Sequence, residues 1–215
     1  MTCAHCCGAE SIFDQKEAEK NLKRYRKKGA NKTTKKLLST LFNKDLKGLS
    51  LLDIGGGIGI IQQELLKKGI TKTTDVDSSH AYISVAKDLM SENGFDDRMS
   101  FIHADFNDCF QTIEKHDIVT LERVVCCYPN VVDLINNSTS KAIKYYGLVY
   151  PMDTFLSKLI NQIGHVYLKI KRNPFRTFIH SEEMMHTLIS NNGFKQIYYS
   201  KKFPWRIVLY KKIES

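Results

Sequence analysis

Apolar positions change period several times along the 215-residue chain, and each change marks an element. "ESIFDQKEAEKNLKRYRKK", residues 10–28, reads as a helix ended by Gly29. Residues 33–46 read as a second, with Leu37, Leu38, Leu41 and Phe42 on one face. The first clear strand is 49–54, followed by the helix "GIIQQELLKKG", closed by Gly69. The strand "KTTDVD" and the helix "SSHAYISVAKDLMSENG" come next. "MSFIHAD" and "HDIVTLE" are a third and a fourth strand, the fourth with helical or loop material on either side. "AIKYYGLVYP" holds a fifth, stopped by Pro151. Strands alternating with helices predict βαβ units and a parallel sheet. Right-handed crossovers gather the C-terminal ends of the strands on one edge, where ligands bind.

The tail departs from that rhythm. "SEEMMHTLISNNG" is one more helix, and "FKQIYYSKKFPWRIVLYKK" reads as two strands with Pro204 near their junction. The expected fold is α/β: a Rossmann-like, mostly parallel sheet of about seven strands. Helices cover both faces, an antiparallel C-terminal hairpin closes the edge, and a helical arm precedes the sheet. We read one domain, with an arm (1–47), a core (48–150), an insertion (151–180) and a closing helix and hairpin (181–215). An insertion of that length is functional or has its own structure, and arm and insertion together suit a substrate lid. Its Phe155, Leu156, Leu159, Ile160, Ile163 and Val166 form an apolar stripe at helical spacing. Core packing is the simpler reading of the stripe. Lys158, Lys169, Lys171 and Arg172 beside it leave peripheral membrane contact open.

Composition narrows the class. An apolar fraction of 42% and a charged fraction of 26% are ordinary for a soluble globular protein. No apolar run approaches the roughly 18 residues that cross a bilayer, and "MTCAHCCGAE" lacks the plan of a secretory signal. A cytoplasmic protein is the expectation. The adjacent cysteines at 6–7 and 126–127 suit a disulfide framework badly. Cys3, His5, Cys6 and Cys7 are soft-metal donors, but no second donor set follows, so no metal site is expected. The net charge is +9, and residues 16–47 carry twelve Lys or Arg against Glu17, Glu19 and Asp45. Such a run can meet phosphates, but a solvated helix face is the simpler reading. No nucleic-acid signature accompanies it, which argues against a nucleic-acid partner.

The candidate chemistry sits in "LLDIGGGIGI", residues 51–60, where four of the twelve glycines fall within five positions. Glycine costs roughly 0.5–1 kcal/mol against alanine inside regular structure. A glycine turn between a strand and a helix instead lets a cofactor approach bare backbone. The dinucleotide fingerprint G-x-G-x-x-G does not fit, because its last position would be Ile60 or Gln62. The pattern is G-x-G-x-G, with Gly55, Gly57 and Gly59, Gly56 between them and Asp53 ahead.

This pattern resembles the first motif of the class I S-adenosylmethionine-dependent methyltransferases, and its companions follow in order over about residues 49–150. In "TTDVDSSHAYISVA" the resemblance makes Asp77 the acceptor for the ribose hydroxyls, with Ser78 beside it. Asp77 lies twenty residues beyond Gly57, the spacing of a ribose binder, and Asp75 is its rival. In "FIHADFND" it gives Asp105 to the adenine amino group and Phe106 to the adenine pocket. "DIVTLERVVCCYPN" corresponds to the fourth motif, with Glu122 where the chain leaves the sheet. The implied cofactor is S-adenosyl-L-methionine.

Acceptor classes leave marks in this family. The [DNS]-P-P-[YF] motif of base-amino enzymes is replaced by "ERVVCCYPN", and the paired glutamates of arginine methyltransferases are not found. The metal site of catechol enzymes is not evident either. What remains is a small and partly apolar substrate, methylated most simply on oxygen. "RYRKKGANKTTKKLL", "ERVVCCYP", "YGLVYP", "FRTFIHS" and "WRIVLYKK" look like a bacterial group related to magnesium-protoporphyrin O-methyltransferases, which methylate a propionate carboxylate. That resemblance makes Tyr25 and Cys127 the catalytic candidates, Cys127 standing where the group has histidine. Tyr25 reads equally as part of a lid, and Cys126 and Cys127 as small apolar packers. His103 reads as a hydrogen-bonded core residue and His180 as the residue before a Ser181 helix cap. Two rival functions stay open. One is a thiol or metalloid methyltransferase using Cys126 and Cys127; the other is a non-catalytic RNA- or partner-binding subunit.

Overall fold

The computed structural model describes residues 4–213, with side chains from residue 8 onward; the Cys3, His5, Cys6 and Cys7 donors fall outside the described side chains. The first expected helix is two helices, α1 (Ala4–Ile12) and α2 (Gln15–Lys28). Asp14 makes the break: its backbone is extended and its side chain accepts from the Glu17 N–H, capping α2. Phe13, in the gap, sets its ring edge-on to Tyr82 and Phe175 at 6.0 and 5.8 Å. The next helix, α3 (Lys32–Phe42), begins where Asn31 accepts from the Thr33 and Thr34 N–H groups.

The core alternates as expected. β1 (Ser50–Ile54), α4 (Ile60–Lys67), β2 (Lys72–Asp77), α5 (His80–Glu92) and β3 (Met99–His103) lead to α6 (Phe106–Cys109) and β4 (His116–Glu122). Then follow α7 (Val131–Ser140) and β5 (Ala142–Pro151). The Asn, Ser and Thr of "VVDLINNSTS" are weak helix formers, and pattern alone left α7 open. Its amphipathic face and cap settle it: Val131, Leu134 and Ile135 are buried, Asn130 caps the start, and Ser138 and Thr139 bond back to Leu134 and Ile135 carbonyls.

Seven strands form one sheet in the order β3-β2-β1-β4-β5-β7-β6. β1 to β5 run parallel. The expected hairpin is β6 (Phe194–Lys202) and β7 (Trp205–Lys212). The last strand inserts between β5 and β6, pairing antiparallel with each. β7 is the apolar member, buried from Arg206 to Tyr210, while β6 alternates as an edge strand does. The insertion holds α8 (Phe155–Ile170), and α9 (Glu182–Asn191) follows, capped by Ser181.

Side-chain alternation divides each strand between two cores. Leu52, Ile54, Val119, Leu121, Tyr146 and Leu148 pack towards α7 and α9. Leu51, Ile118, Ile207 and Leu209 pack towards α3 and α4, meeting Leu37, Leu41, Ile61 and Leu65. α3 therefore belongs to the core: Leu37 and Leu41 are fully buried, and a Cβ on Gly147 of β5 would stand 3.1 Å from Leu37 Cδ1. Leu37→Ala should cost about 2–5 kcal/mol of unfolding free energy, read as a lower urea midpoint at unchanged slope. A change within ±0.5 kcal/mol would show that the arm is not part of the folded core.

Candidate cofactor and substrate site

The parallel strands end together, and the segments leaving them (55–59, 78–79, 104–106 and 123–129) line one edge of the sheet. The glycine turn is built on two carboxylates of β2. In T-D-V-D the period of two sends Asp75 and Asp77 to the same face. The Gly56 N–H donates to Asp75 Oδ1 at 3.2 Å and the Gly57 N–H to Asp77 Oδ2 at 3.1 Å. The Ser79 N–H donates to the other Asp77 oxygen at 2.8 Å. The two β2 carboxylates are not rivals: one holds the turn from beneath, the other at its rim.

The glycines serve different neighbours. A Cβ on Gly55 would strike Val124, behind β4. One on Gly56 would collide with Gln62 and reach 2.5 Å from Asp75 Oδ1 and 3.0 Å from Asp53 Oδ2. A Cβ on Gly57 would meet nothing closer than Tyr82 Cδ1 at 3.5 Å, an ordinary contact, but there φ is +60°. So Gly56 is demanded by a polar cluster of the protein itself, and Gly57 by its left-handed backbone conformation.

That cluster crosses the sheet. Asp53 of β1 is the register partner of both Asp75 of β2 and Thr120 of β4. All three are buried, as is Gln62 of α4. Thr120 donates to Asp53 Oδ1 at 2.6 Å. Asp53 Oδ2 is buried without a hydrogen-bond partner among the described residues, and Gln62 lies against Asp75 as a hydrogen-bonding neighbour. Burial pushes Asp53 up to about 8; the Thr120 hydroxyl opposes this, and the charges of Glu122 and Asp77 add to it. Asp75 is raised well above the carboxylate range by burial and by the charges of Asp77 and Asp53. Asp77 is raised by burial too, against the Ser79 and Gly57 N–H groups and the His103 ring. Burial and mutual repulsion thus raise the proton affinity of all three carboxyl groups.

At the third strand, Asp105 caps α6, accepting from the Asn107 N–H at 2.8 Å and from the Tyr128 hydroxyl at 3.2 Å. Both bonds fall on Oδ1, which leaves Oδ2 for a ligand. Phe106 is fully buried in the core beneath. Ser78 presents its carbonyl to His103 Nε2 at 3.0 Å. His103 is exposed, against the core role expected of it. It ends β3, an edge strand with no fully buried residue, beside His80, ring to ring at 5.2 Å.

Glu122 ends β4 and turns towards the arm, where it accepts from Thr34 Oγ1 at 2.5 Å and Thr33 Oγ1 at 3.3 Å. It thereby seats the positive end of α3 on the sheet edge. Arg123 follows with φ +63°, a left-handed turn that L residues adopt at a cost of order 1–3 kcal/mol. Its guanidinium donates to Thr33 Oγ1 at 2.8 Å and lies over Trp205 at 4.7 Å. Cys126 is buried and Cys127 half-buried. Cys126 is lowered by the hydrogen bond from Cys127, against burial. Cys127, the donor of that bond, is pushed well up. Tyr25 donates to Gln63 Oε1 at 2.5 Å and is 2.8 Å from Glu64 Oε1, both on α4, and burial raises its phenol.

Asp77, Asp105, Cys127 and the bare Gly57 thus share the edge, while Asp53 lies beneath the turn. Glu122 and Tyr25 meet arm and α4 partners. Asp75, Thr120, Gln62 and Tyr128 are the members that motif reading did not assign. The D-x-D spacing on a strand carried the signal for Asp75; the others depend on register and packing.

Comparisons agree with this geometry. Residues 51–140 match the family model described as "Methyltransferase domain". Protein arginine N-methyltransferase 1 of Saccharomyces cerevisiae is 30% identical over 112 residues, 51% of this chain and 32% of that one. Ribosomal protein L11 methyltransferase of Shewanella amazonensis is 33% identical over 72 residues, 34% of this chain and 24% of the relative. The chain thus spans a third or less of the curated relatives it matches. Among solved structures, magnesium protoporphyrin IX methyltransferase from Synechocystis PCC 6803 with bound SAH aligns at TM-score 0.75 and 18% identity, over 95% of this chain and 98% of that one. Residues 51–140 match a methyltransferase domain, and the chain shares the fold of solved methyltransferases.

The raised proton affinity of Asp53 has a measurable consequence. Asp53 holds its proton to about pH 8 in the folded chain and to about 3.9 unfolded. Between those values the native state binds the extra proton, so stability falls as pH rises, by about 1.4 kcal/mol per unit for one group. Asp53→Asn should flatten the fall from pH 5 to 8 in urea titrations. An unchanged slope would mean that Asp53 is ionised in the native state.

Proposed function

We propose that this methyltransferase transfers the methyl group of S-adenosylmethionine to an oxygen of a small, partly apolar molecule, most simply a carboxylate. The carrying observation is the pairing of the bare Gly57 backbone with Asp77 at the rim. Asp77 keeps lone pairs for ribose hydroxyls beyond its bonds to Gly57 and Ser79, and Asp105 Oδ2 suits an adenine amino group. The residues therefore fit the cofactor. Ser78 stands beside Asp77 at the rim, while Gly55, Gly59 and Phe106 support the site from within, packed against Val124, Met90 and the core. Asp53 and Glu122 support the site through the turn and the arm rather than by direct contact. The bound sulfonium supplies a methyl carbon already activated for displacement.

The chain's part is to orient the acceptor and keep water out, and orientation alone is worth about 7–11 kcal/mol. The candidate groups Tyr25 and Cys127 both hold their protons at neutral pH. Neither serves as a base there, and a carboxylate acceptor needs none. Cys127 faces the acceptor as a neutral thiol, and Tyr25 steadies the arm over α4. The solved relative named as a magnesium protoporphyrin IX methyltransferase supports a small-molecule acceptor.

A protein acceptor is a second reading, favoured by the match to protein arginine N-methyltransferase 1. Against it, "ERVVCC" at the end of β4 offers a single glutamate, Glu122, already engaged by Thr33 and Thr34.

Incubation with methyl-labelled S-adenosylmethionine and a cell extract, split by size after reaction, separates the readings. Label is expected in the small-molecule fraction as a base-labile ester. Asp77→Ala should abolish it, and Cys127→Ala should lower turnover without changing cofactor affinity. Label confined to protein would overturn the small-molecule reading.

A further inference from the structure

The helix α8 is mounted inside out. Phe155, Leu159, Ile163, Val166, Tyr167 and Ile170 share one side, within about 140° of the circumference at 3.6 residues per turn. That side faces solvent: Phe155 is 84%, Ile163 63% and Ile170 75% exposed. The opposite side is polar and engaged. Ser157 is buried, Asn161 and Thr177 exchange hydrogen bonds of 3.0 and 2.5 Å, and the His165 ring meets the Thr177 backbone. Turning the helix over would break these bonds, so its outward apolar face is fixed by the polar one. Core packing, the simpler expectation for this stripe, does not hold.

Charge selects what covers the face. Residues 154–181 hold five Lys or Arg and no Asp or Glu. Lys158 is paired with Asp153, so the uncompensated charge collects at the C-terminal end, on Lys169, Lys171 and Arg172. Packed parallel against a second copy, two such faces would bring their basic ends together, and antiparallel packing would offer each basic end only Asp153, already paired with Lys158. An anionic bilayer surface satisfies both demands. The aliphatic arc enters the acyl boundary while the lysines reach headgroup phosphates. At 16 residues α8 is about 24 Å long, and among the described residues no helix is long and apolar enough to cross a membrane. It lies on the surface.

We propose that α8 docks the protein on anionic lipid, with its axis in the membrane plane. The segment after it ties this face to the site rim. Asn173 donates to the Gly8 carbonyl at 3.1 Å, the Phe178 N–H to the Cys126 carbonyl at 2.7 Å, and His180 meets the Tyr128 carbonyl at 3.0 Å. Docking through α8 therefore holds the substrate edge of the sheet beside the bilayer, where a partly apolar acceptor would concentrate. The docking itself does not depend on methyl transfer.

The test is flotation of the full chain with phosphatidylcholine vesicles, with and without phosphatidylglycerol, at low and high salt. Binding should favour the anionic vesicles at least tenfold and weaken with salt. The surface double variant Leu159→Gln/Ile163→Gln should bind at least tenfold more weakly with an unchanged thermal midpoint. Lys169→Gln and Lys171→Gln should each cost about fivefold on anionic vesicles only. Absence of flotation, or equal flotation of the double variant, would overturn the proposal. So would a concentration-dependent dimer that the double variant abolishes without vesicle binding, which assigns the face to a second copy.

Discussion

Two backbone hydrogen bonds carry the organisation of this molecule: Gly56 to Asp75 and Gly57 to Asp77. They tie the turn after β1 to the end of β2 and fix the direction in which α4 leaves the sheet. The inner bond needs a carboxyl group with no counter-charge in a dry place, which raises its proton affinity and that of Asp53 beside it. The outer bond leaves Asp77 at the rim with acceptor capacity to spare. One turn therefore has a buried carboxyl pair beneath it and a polar outer edge.

From that turn the rest of the site follows by register. Thr120 stands beside Asp53 because β4 pairs with β1, and the same strand two residues later delivers Glu122 to the threonines that start α3. The arm is thus joined to the strand that leads into Arg123 and the two cysteines. A left-handed Arg123 turns the chain sharply towards the two cysteines, its guanidinium held between Thr33 and Trp205. Strain of this kind persists where surrounding contacts fix it, and here three elements do.

Much of this was legible before any coordinates. The alternation of strands and helices, the five parallel strands and the C-terminal hairpin follow from period and punctuation, since buried parallel strands read as apolar runs between glycines. The turn motif and Asp77 are local patterns, so a linear reading finds them. The Asp53–Thr120–Asp75 row is not local: it exists only once three strands are in register. The split at Asp14 was hidden because a charged run looks helical on both sides of a cap. The outward face of α8 was hidden for another reason. Periodicity reports that a face is apolar and is silent about which way it points; Asn161, His165 and Thr177 decide that through tertiary bonds.

The central claim is that the bare backbone at Gly57 and the Asp77 carboxylate form a seat for an adenosyl sulfonium donor. Titration calorimetry with S-adenosylhomocysteine, S-adenosylmethionine and nicotinamide dinucleotides addresses it without needing a substrate. The account predicts one site per chain for each adenosyl ligand, weakened at least tenfold by Asp77→Asn, and no heat from the dinucleotides. Uptake of a nicotinamide dinucleotide with no heat from either adenosyl ligand would contradict it.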